Sequence, residues 1–180
     1  KDYFRSSNSH NTITVDGKGY SIERKSYGSF ITDYTVNEEY DWVKGEHELI
    51  NGVKYSREIL FIKPNVFVIF DKLISNKEHK YQQIFNLSPV FSDDSLSDVR
   101  FDVNGLQASM KDKDLTVNLR QLIPVDTVRS FKGQENPIRG FASFNTNELV
   151  PIKQIEFETR GKEVEFITVI QLESNGYKKL

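Results

Sequence analysis

Strand-forming segments separated by turn residues fill almost the whole 180-residue chain, and no stretch of ten or more residues has a helical period. Asn51-Gly52 is the strongest turn signal, because both residues tolerate the positive φ angles of a two-residue hairpin turn. The segments on either side of Lys63-Pro64-Asn65 are rich in Ile, Phe and Val at successive positions, which is typical of strands covered on both faces. This pattern restricts the chain to the all-β class.

The spacing of the turn signals predicts about a dozen strands in one antiparallel, two-sheet β-sandwich of the supersandwich type. We assign all of residues 1–180 to this single domain, with polar loops at 91–100 and 133–139. A closing hairpin is predicted around Arg160-Gly161-Lys162. The predicted strands are 12–16, 20–25, 28–36, 40–49, 53–62, 66–74, 79–87, 101–103, 106–111, 115–119, 125–130, 152–159 and 164–172.

Composition excludes several classes of function. The formal net charge is −2 with both signs interspersed, so there is no basic stripe for nucleic acid. No apolar run reaches the roughly 18–20 residues of a membrane-spanning helix. The chain contains no cysteine, which excludes disulfides, thiolate metal sites and cysteine nucleophiles. We expect the natural N-terminus to lie upstream of Lys1, because the chain begins without methionine and has no signal peptide.

Histidines are the first candidates for chemistry, because imidazole titrates near neutrality and binds metals. None of the three has a second histidine at metal-ligand spacing, so a zinc site would need long-range convergence, for example of His10 with Asp33 or Asp41 and one of the other histidines. His79 lies in a polar segment and His47 in an edge-strand pattern, which predicts surface positions. His10 differs, because Ser, Asn and Thr surround it.

Acidic residues alternate with apolar ones in two segments, as on the solvated face of a strand. We therefore predict exposed carboxylates and not an acid–base pair at Glu46, Glu48, Glu156, Glu158, Glu163 and Glu165. Aromatic residues are dense, and a sandwich core is the default for them, although sugar stacking would use the same residue types. They are Tyr27, Phe30, Tyr34, Tyr40, Trp42 and Tyr55. Without a nucleophile-elbow motif or a phosphate loop, the chain is not a complete enzyme.

The run SSNSHNTITVDG at 6–17 resembles the start of the C-terminal β-sandwich of the heparinase II/III-like polysaccharide lyases. The long hairpin NGVKYSREILFIKPNVFVIFDKL at 51–73 is similar to that family's hairpin, with Arg57 before one strand and Asp71 ending the next. Segments 79–89 and 140–170 resemble the strand and closing hairpin that follow. The resemblance covers most of the chain, and its most specific part is His-Asn-Thr.

This resemblance implies the fold and the chemistry of a larger enzyme. In the family, an N-terminal α/α toroid supplies most catalytic groups, and the β-sandwich closes one wall of the cleft. The reaction is β-elimination of a uronate-containing acidic polysaccharide, in which a base removes the proton α to the carboxylate. The parent protein is therefore expected to be a lyase, and the chain alone an inactive C-terminal fragment that packs on the missing toroid.

The resemblance also implies candidate site residues. Substrate-cleft candidates are Asn8, His10 and Tyr55. His10 occupies the place of a structural zinc ligand, whereas Asn8 replaces a catalytic histidine and cannot act as a base. Tyr55 replaces a second ligand histidine two residues before Arg57, and Asp33 is the substitute acidic ligand. No cofactor is consumed, and a structural zinc held by His10 and Asp33 is an expectation from the family.

Two alternatives remain at this point. The first is a non-catalytic carbohydrate-binding sandwich that uses exposed aromatics such as Tyr40 and Trp42. The second is a purely structural scaffold. An acidic-polysaccharide role predicts a periplasmic or extracellular location in a bacterium, which is an expectation by analogy.

Overall fold

The computed structural model describes residues 2–20, 28–48, 50, 52–89, 100–101, 107–112, 114–146 and 148–174. Fourteen strands and two short helices lie in these ranges. The helices are α1 (Asp2–Arg5) and a 3-10 turn (Ser7–Ser9). The strands are β1 Ile13–Val15, β2 Ser29–Val36, β3 Tyr40–His47, β4 Val53–Ile62, β5 Val66–Asn86, β6 Arg100–Phe101, β7 Gln107–Asp112, β8 Leu115–Gln121, β9 Thr127–Lys132, β10 Gln134–Glu135, β11 Ile138–Arg139, β12 Phe141–Ala142, β13 Val150–Pro151 and β14 Lys153–Ser174.

Two long antiparallel strands, β5 and β14, pair with each other along most of their length. One half of each strand belongs to one layer of the sandwich, and the other half belongs to the other layer. The amino-terminal half of β14 pairs with β9, and the carboxyl-terminal half of β5 pairs with β1, so these four segments form the smaller layer. The opposite halves continue through β4, β3 and β2 on one side and β8, β7 and β6 on the other. The predicted all-β sandwich is confirmed, but its two layers are hydrogen-bonded through the shared strands.

One hydrophobic core lies between the layers, and both layers contribute to it. Because successive side chains of a strand point to opposite faces, each strand contributes every second residue. The smaller layer supplies Ile13, Val15, Tyr81, Phe85, Ile155 and Phe157. The larger layer supplies Val53, Tyr55, Ile69, Leu73, Ala108, Met110, Leu119, Val164 and Phe166.

Three polar segments that the sequence predicts as turns or loops are strand in the structure. Residues 75–78, between two predicted strands, continue β5, and Arg160-Gly161-Lys162 continues β14 with a shift of register between Gly161 and Glu163. The predicted closing hairpin is therefore wrong. In the predicted loop 133–139, β10 and β11 pair as a short hairpin. Polar composition misled the prediction, because a strand that crosses between two layers exposes its middle.

Some predicted elements lie outside the described residues, namely most of the strand at 20–25, loop residues 91–99 and the end of the strand at 101–103. Neither of the two helices in the described part of the chain is long and apolar enough to cross a membrane.

Candidate functional site

The Ser- and Asn-rich segment 6–12 forms tight turns that lead into β1. The Ser6 hydroxyl donates to the Tyr3 carbonyl oxygen at 2.6 Å, and the Ser9 hydroxyl donates to the Ser6 carbonyl oxygen at 3.0 Å. Such local bonds from hydroxyl to backbone explain why a serine-rich run forms turns here. The turn ends at His10, which is extended and exposed.

A charged pair on the inner face of the larger layer is the centre of the candidate site. Arg57 and Asp71 are directly paired on β4 and β5. The guanidinium donates to both carboxylate oxygens, with Nε–Oδ1 at 2.6 Å and Nη2–Oδ2 at 2.7 Å. The Asp71 side chain is fully buried. This bidentate geometry is the strongest arrangement of such a pair.

Two further donors complete the coordination of the Asp71 carboxylate. The Tyr55 hydroxyl donates to Oδ1 at 2.7 Å, and the Gln83 amide donates to Oδ2 at 2.7 Å. Each carboxylate oxygen therefore accepts two hydrogen bonds, which uses its lone-pair capacity. Asp71 is consequently a structural anchor with no lone pair left for a metal or a substrate proton.

The network extends across the sheet to β8 and β14. The side-chain oxygen Oε1 of Gln83 accepts from the Gln121 side-chain amide at 2.6 Å and from the Thr168 hydroxyl at 2.9 Å, and all three side chains are buried. We call Tyr55, Arg57, Asp71, Gln83, Gln121 and Thr168 the inner polar network. It ties β4, β8, β14 and the amino-terminal half of β5 in the larger layer to Gln83 in the smaller layer, at the centre of the sandwich.

Arg57 also connects this network to the segment 6–12. Its Nη1 donates to the Asn11 carbonyl oxygen at 2.7 Å, and the Asn11 side-chain oxygen accepts from the Asn86 backbone N–H at 2.7 Å. Asn11 is therefore held from both layers, which fixes the backbone next to His10. We call Asn11, the middle residue of the His-Asn-Thr motif, the Asn11 clamp, because its hydrogen bonds hold this segment to both layers.

The surroundings shift the pKa values of three groups near this pair. Burial and the negative charge of Asp71 hold the pKa of Tyr55 well above its usual value, so its phenol stays protonated. Burial lowers the pKa of Arg57, but Asp71 raises it more, so Arg57 remains a cation. Burial and then the Arg57 charge lower the pKa of His47, whose ring packs edge-on against Tyr55 at 4.7 Å.

A cavity of about 550 Å³ opens beside this network, and Tyr55 and His47 line it. Lys54 and Lys72 also line it, together with Glu46. Of the three cleft candidates from the sequence, the structure places only Tyr55 in this cavity, while Asn8 and His10 lie in the turn before β1. Their role in a cleft stays a prediction.

A second group of polar side chains lies on the outer face of the smaller layer. It shows that the prediction of exposed carboxylates is wrong for two residues. Glu156 and Glu158 are buried, whereas Glu163 and Glu165 are exposed as expected. Arg139 pairs with Glu156, and the Gln82 amide donates to Glu156 at 3.2 Å. Glu46 and Glu48 are also exposed as predicted, so the alternation of acidic and apolar residues fails to mark a solvated face only in the first half of β14.

The backbone of Asn8 is hydrogen-bonded to this second group of polar side chains. The fully buried Gln154 amide donates to the Asn8 carbonyl oxygen at 2.6 Å and to the Asn86 side-chain oxygen at 2.9 Å. The backbone of Asn8 is thus fixed on the smaller layer, three residues before the Asn11 clamp.

The described residues do not fit the expected zinc site. No three His, Asp or Glu side chains among them group as metal ligands. Asp33 lies on the exposed strand β2, which is at the edge of the sheet among the described strands, and its Oδ1 accepts the Tyr34 backbone N–H at 2.8 Å. The Tyr55 hydroxyl is hydrogen-bonded to Asp71, so neither group is available as a metal ligand.

The aromatic residues predicted for the core divide into two groups. Tyr55 is buried, but Phe30 and Tyr34 are exposed, and Tyr27 lies outside the described residues. The Trp42 indole N–H donates to Glu58 at 3.2 Å, so its polar edge is used within the protein.

Gln83, Gln121, Thr168 and Arg139 are not singled out by the sequence, although each is part of a polar network. The one available signal is Gln82-Gln83 in the middle of the apolar run 81–85, because paired amides in such a run need buried partners.

Comparison with known proteins confirms the resemblance drawn from the sequence. A model of the family described as heparinase II/III-like, C-terminal, matches residues 1–178. No curated protein is similar enough to the sequence to count as a match.

Solved structures with the same fold are much longer proteins. Heparan sulfate lyase HepC from Pedobacter heparinus is 15% identical with a TM-score of 0.79, over 98% of this chain and 26% of that chain. Heparinase III is 17% identical with a TM-score of 0.78, over 96% of this chain and 25% of that chain. The chain thus spans about a quarter of the length of each, and at these identities the similarity shows the fold.

Proposed function

The chain belongs to the heparinase II/III-like C-terminal family, and we propose that it is the β-sandwich domain of a polysaccharide lyase. In this proposal an N-terminal α/α toroid lies upstream and supplies the base and the acid. The β-sandwich forms one wall of the cleft, and the 180-residue chain alone is inactive. The parent protein cleaves a uronate-containing acidic polysaccharide by β-elimination, in the periplasm or outside a bacterial cell, where such polysaccharides are encountered.

The Asn11 clamp is the observation that supports this role best. The segment 6–12 is held by Arg57 from the larger layer and by Asn86 and Gln154 from the smaller one. A wall of a cleft needs polar groups on a rigid backbone, because loose positioning loses most of the benefit of a catalytic or binding group. The inner polar network provides that rigidity without using an exposed group.

The residues of the segment 6–12 then have distinct roles in the proposal. The Asn8 amide can hydrogen-bond a sugar hydroxyl or carboxylate, but it has no basic atom. His10 is exposed and offers an imidazole at the surface. The negative charge that develops on the uronate carboxylate during elimination needs donors of this kind.

Heparan sulfate is the first substrate to test, because a solved protein with the same fold is described as a heparan sulfate lyase. The full-length protein and the 180-residue chain are incubated separately with heparan sulfate, alginate and an acidic capsule polysaccharide. Ultraviolet absorbance from unsaturated uronate is expected to rise with the full-length protein and not with the chain alone.

The proposal fails if the full-length protein produces no unsaturated uronate from any of the three substrates, or if the chain alone produces it. A His10→Ala variant of the full-length protein is expected to turn over more slowly than wild type, with Lys18→Ala in the turn after β1 as a surface control. Equal turnover rates for His10→Ala and wild type would contradict a role of His10 in the cleft.

A further inference from the structure

The inner face of the larger layer continues beyond the core and ends in an exposed apolar surface on β2 and β3. Directly paired residues on neighbouring strands share a face. One such row runs from the buried Ile69 through Ile59 and Val43 to Tyr34. Ile69 is 8% exposed and Tyr34 is 70% exposed. The same face is therefore covered at one end of the row and open at the other.

Two neighbouring rows show the same change. One runs from Asp71 through Arg57 and Gly45 to Ile31, which is 72% exposed. The other runs from Phe67 through Phe61 and Asp41 to Val36, which is 70% exposed. We call Ile31, Tyr34, Val36, Val43, Ile59 and Phe61 the apolar overhang. These residues line a groove of about 720 Å³.

An exposed apolar groove on an edge strand is a liability that proteins normally cover. Strand addition by a second copy of the chain is one way to cover it, but the edge of β2 is blunted. The register shifts between Ile31 and Asp33, as at a β-bulge, and the Asp33 side chain accepts the Tyr34 backbone N–H. Both features oppose pairing with another strand.

Acidic polysaccharide is a second conceivable occupant, and the charges oppose it. Asp33 and Asp41 line the groove, and the exposed Glu38 and Glu39 follow at the turn between β2 and β3. The nearby Lys63 already pairs with Asp41 at 2.9 Å. An anionic chain would meet carboxylates at this rim, which costs free energy at short range.

We propose that the apolar overhang is the docking surface for the N-terminal part of the same polypeptide. Solved proteins with this fold carry about three quarters of their length outside the matched region, so a covering domain is available in chains of this family. The occupant is expected to present an apolar ridge to Tyr34 and Val36, with Lys or Arg at the acidic rim. This inference rests on the proposed function only for the existence of that domain.

Cysteine labelling in the full-length protein tests the surface, because residues 1–180 contain no cysteine. Tyr34→Cys is compared with Phe144→Cys, since Phe144 is a similarly exposed aromatic residue at 61%, outside the overhang. Labelling by a maleimide is followed for each peptide by mass spectrometry. The thiol of the Tyr34→Cys variant is expected to react at least about tenfold more slowly than that of the Phe144→Cys variant, because the docked domain must open before the reagent reaches it.

Val36→Cys is a second test in case Tyr34→Cys impairs folding, and it is expected to be protected to the same degree. Equal labelling of the overhang and control cysteines would overturn the proposal. Protection that disappears on dilution would assign the surface to a second copy instead. Protection that appears only with added heparan sulfate would assign it to a glycan. Either result also overturns the proposal.

Unsaturated uronate is measured on the same preparations to separate this inference from the proposed activity. Protected cysteines in a protein without lyase activity support the docking surface and contradict the proposed reaction. Lyase activity in a protein whose introduced cysteines are fully reactive supports the proposed reaction and contradicts the docking surface.

Discussion

The inner polar network and the apolar overhang lie on one face of one sheet, and they invert the usual distribution of residue types. The network buries a charged pair, and the overhang exposes Ile, Tyr and Val. Asp71 has four donors within 2.7 Å, whereas Tyr34 has no cover over most of its ring. Buried charge is tolerated where every lone pair is satisfied, and exposed apolar surface is typical of an interface.

The comparison also separates what stabilises this domain from what connects it to a partner. Removing one member of a buried ion pair leaves an uncompensated charge, so the network should be sensitive to substitution. The overhang residues on β2, Ile31, Tyr34 and Val36, are mostly exposed, so substitutions there should change stability little. Three predictions test this difference.

The largest effect is expected at the centre of the network. Asp71→Ala leaves the Arg57 guanidinium without its counter-charge and should lower the free energy of unfolding by about 3–5 kcal/mol. Urea denaturation of the 180-residue chain measures it. Asp33→Ala, on the exposed edge strand, is the control and should change stability by less than about 0.5 kcal/mol. A loss under about 1 kcal/mol for Asp71→Ala would show that the network is not stabilising.

A smaller effect is expected at His47, which lies between the network and solvent. Its folded pKa is lowered by burial and by Arg57, so the unfolded chain binds more protons below the unfolded pKa of about 6.5. Stability should therefore fall as the pH decreases from about 6.5 towards the folded pKa.

His47→Gln removes this titration and should reduce the pH dependence of unfolding in that window. The free energy of unfolding is measured at about pH 7.5 and about pH 5 for both proteins, above and below the unfolded pKa. The same pH dependence in variant and wild type would contradict the prediction.

The smallest effect is expected in the overhang. Tyr34→Ala should change the unfolding free energy of the 180-residue chain by less than about 0.5 kcal/mol, because its ring is mostly exposed. Ile69→Ala in the same row is the matched control and should cost about 2–5 kcal/mol. Comparable losses at the two positions would mean that the overhang is part of the core.

Much of this arrangement follows from local sequence. The Lys63-Pro64-Asn65 turn joins two strands of matching pattern, and pairing Ile62 with Val66 places Arg57 directly opposite Asp71. The all-β class and the pairing of β3 with β4 were predictable for the same reason. The residue types of a short turn and the two-residue period of a strand together determine which residues are paired on strands that are adjacent in sequence.

Partners that are distant in sequence were not predictable. Glu156 is buried because Arg139 reaches it from a segment predicted as a loop, and Gln83 is buried because Gln121 and Thr168 supply its partners. Nothing in the alternation around Glu156 distinguishes it from the exposed Glu163. Their different surroundings come from the crossing of β14 between layers, which a pattern of residue types does not encode.

That crossing has a consequence for how the domain assembles. Since β5 and β14 contribute to both layers, neither layer is a complete set of strands without the other. Their pairing joins residues 66–86 to residues 153–174, so the decisive contacts are remote along the chain. Folding should therefore be slow and all-or-none, with no half-sandwich intermediate to shelter one layer while the other forms.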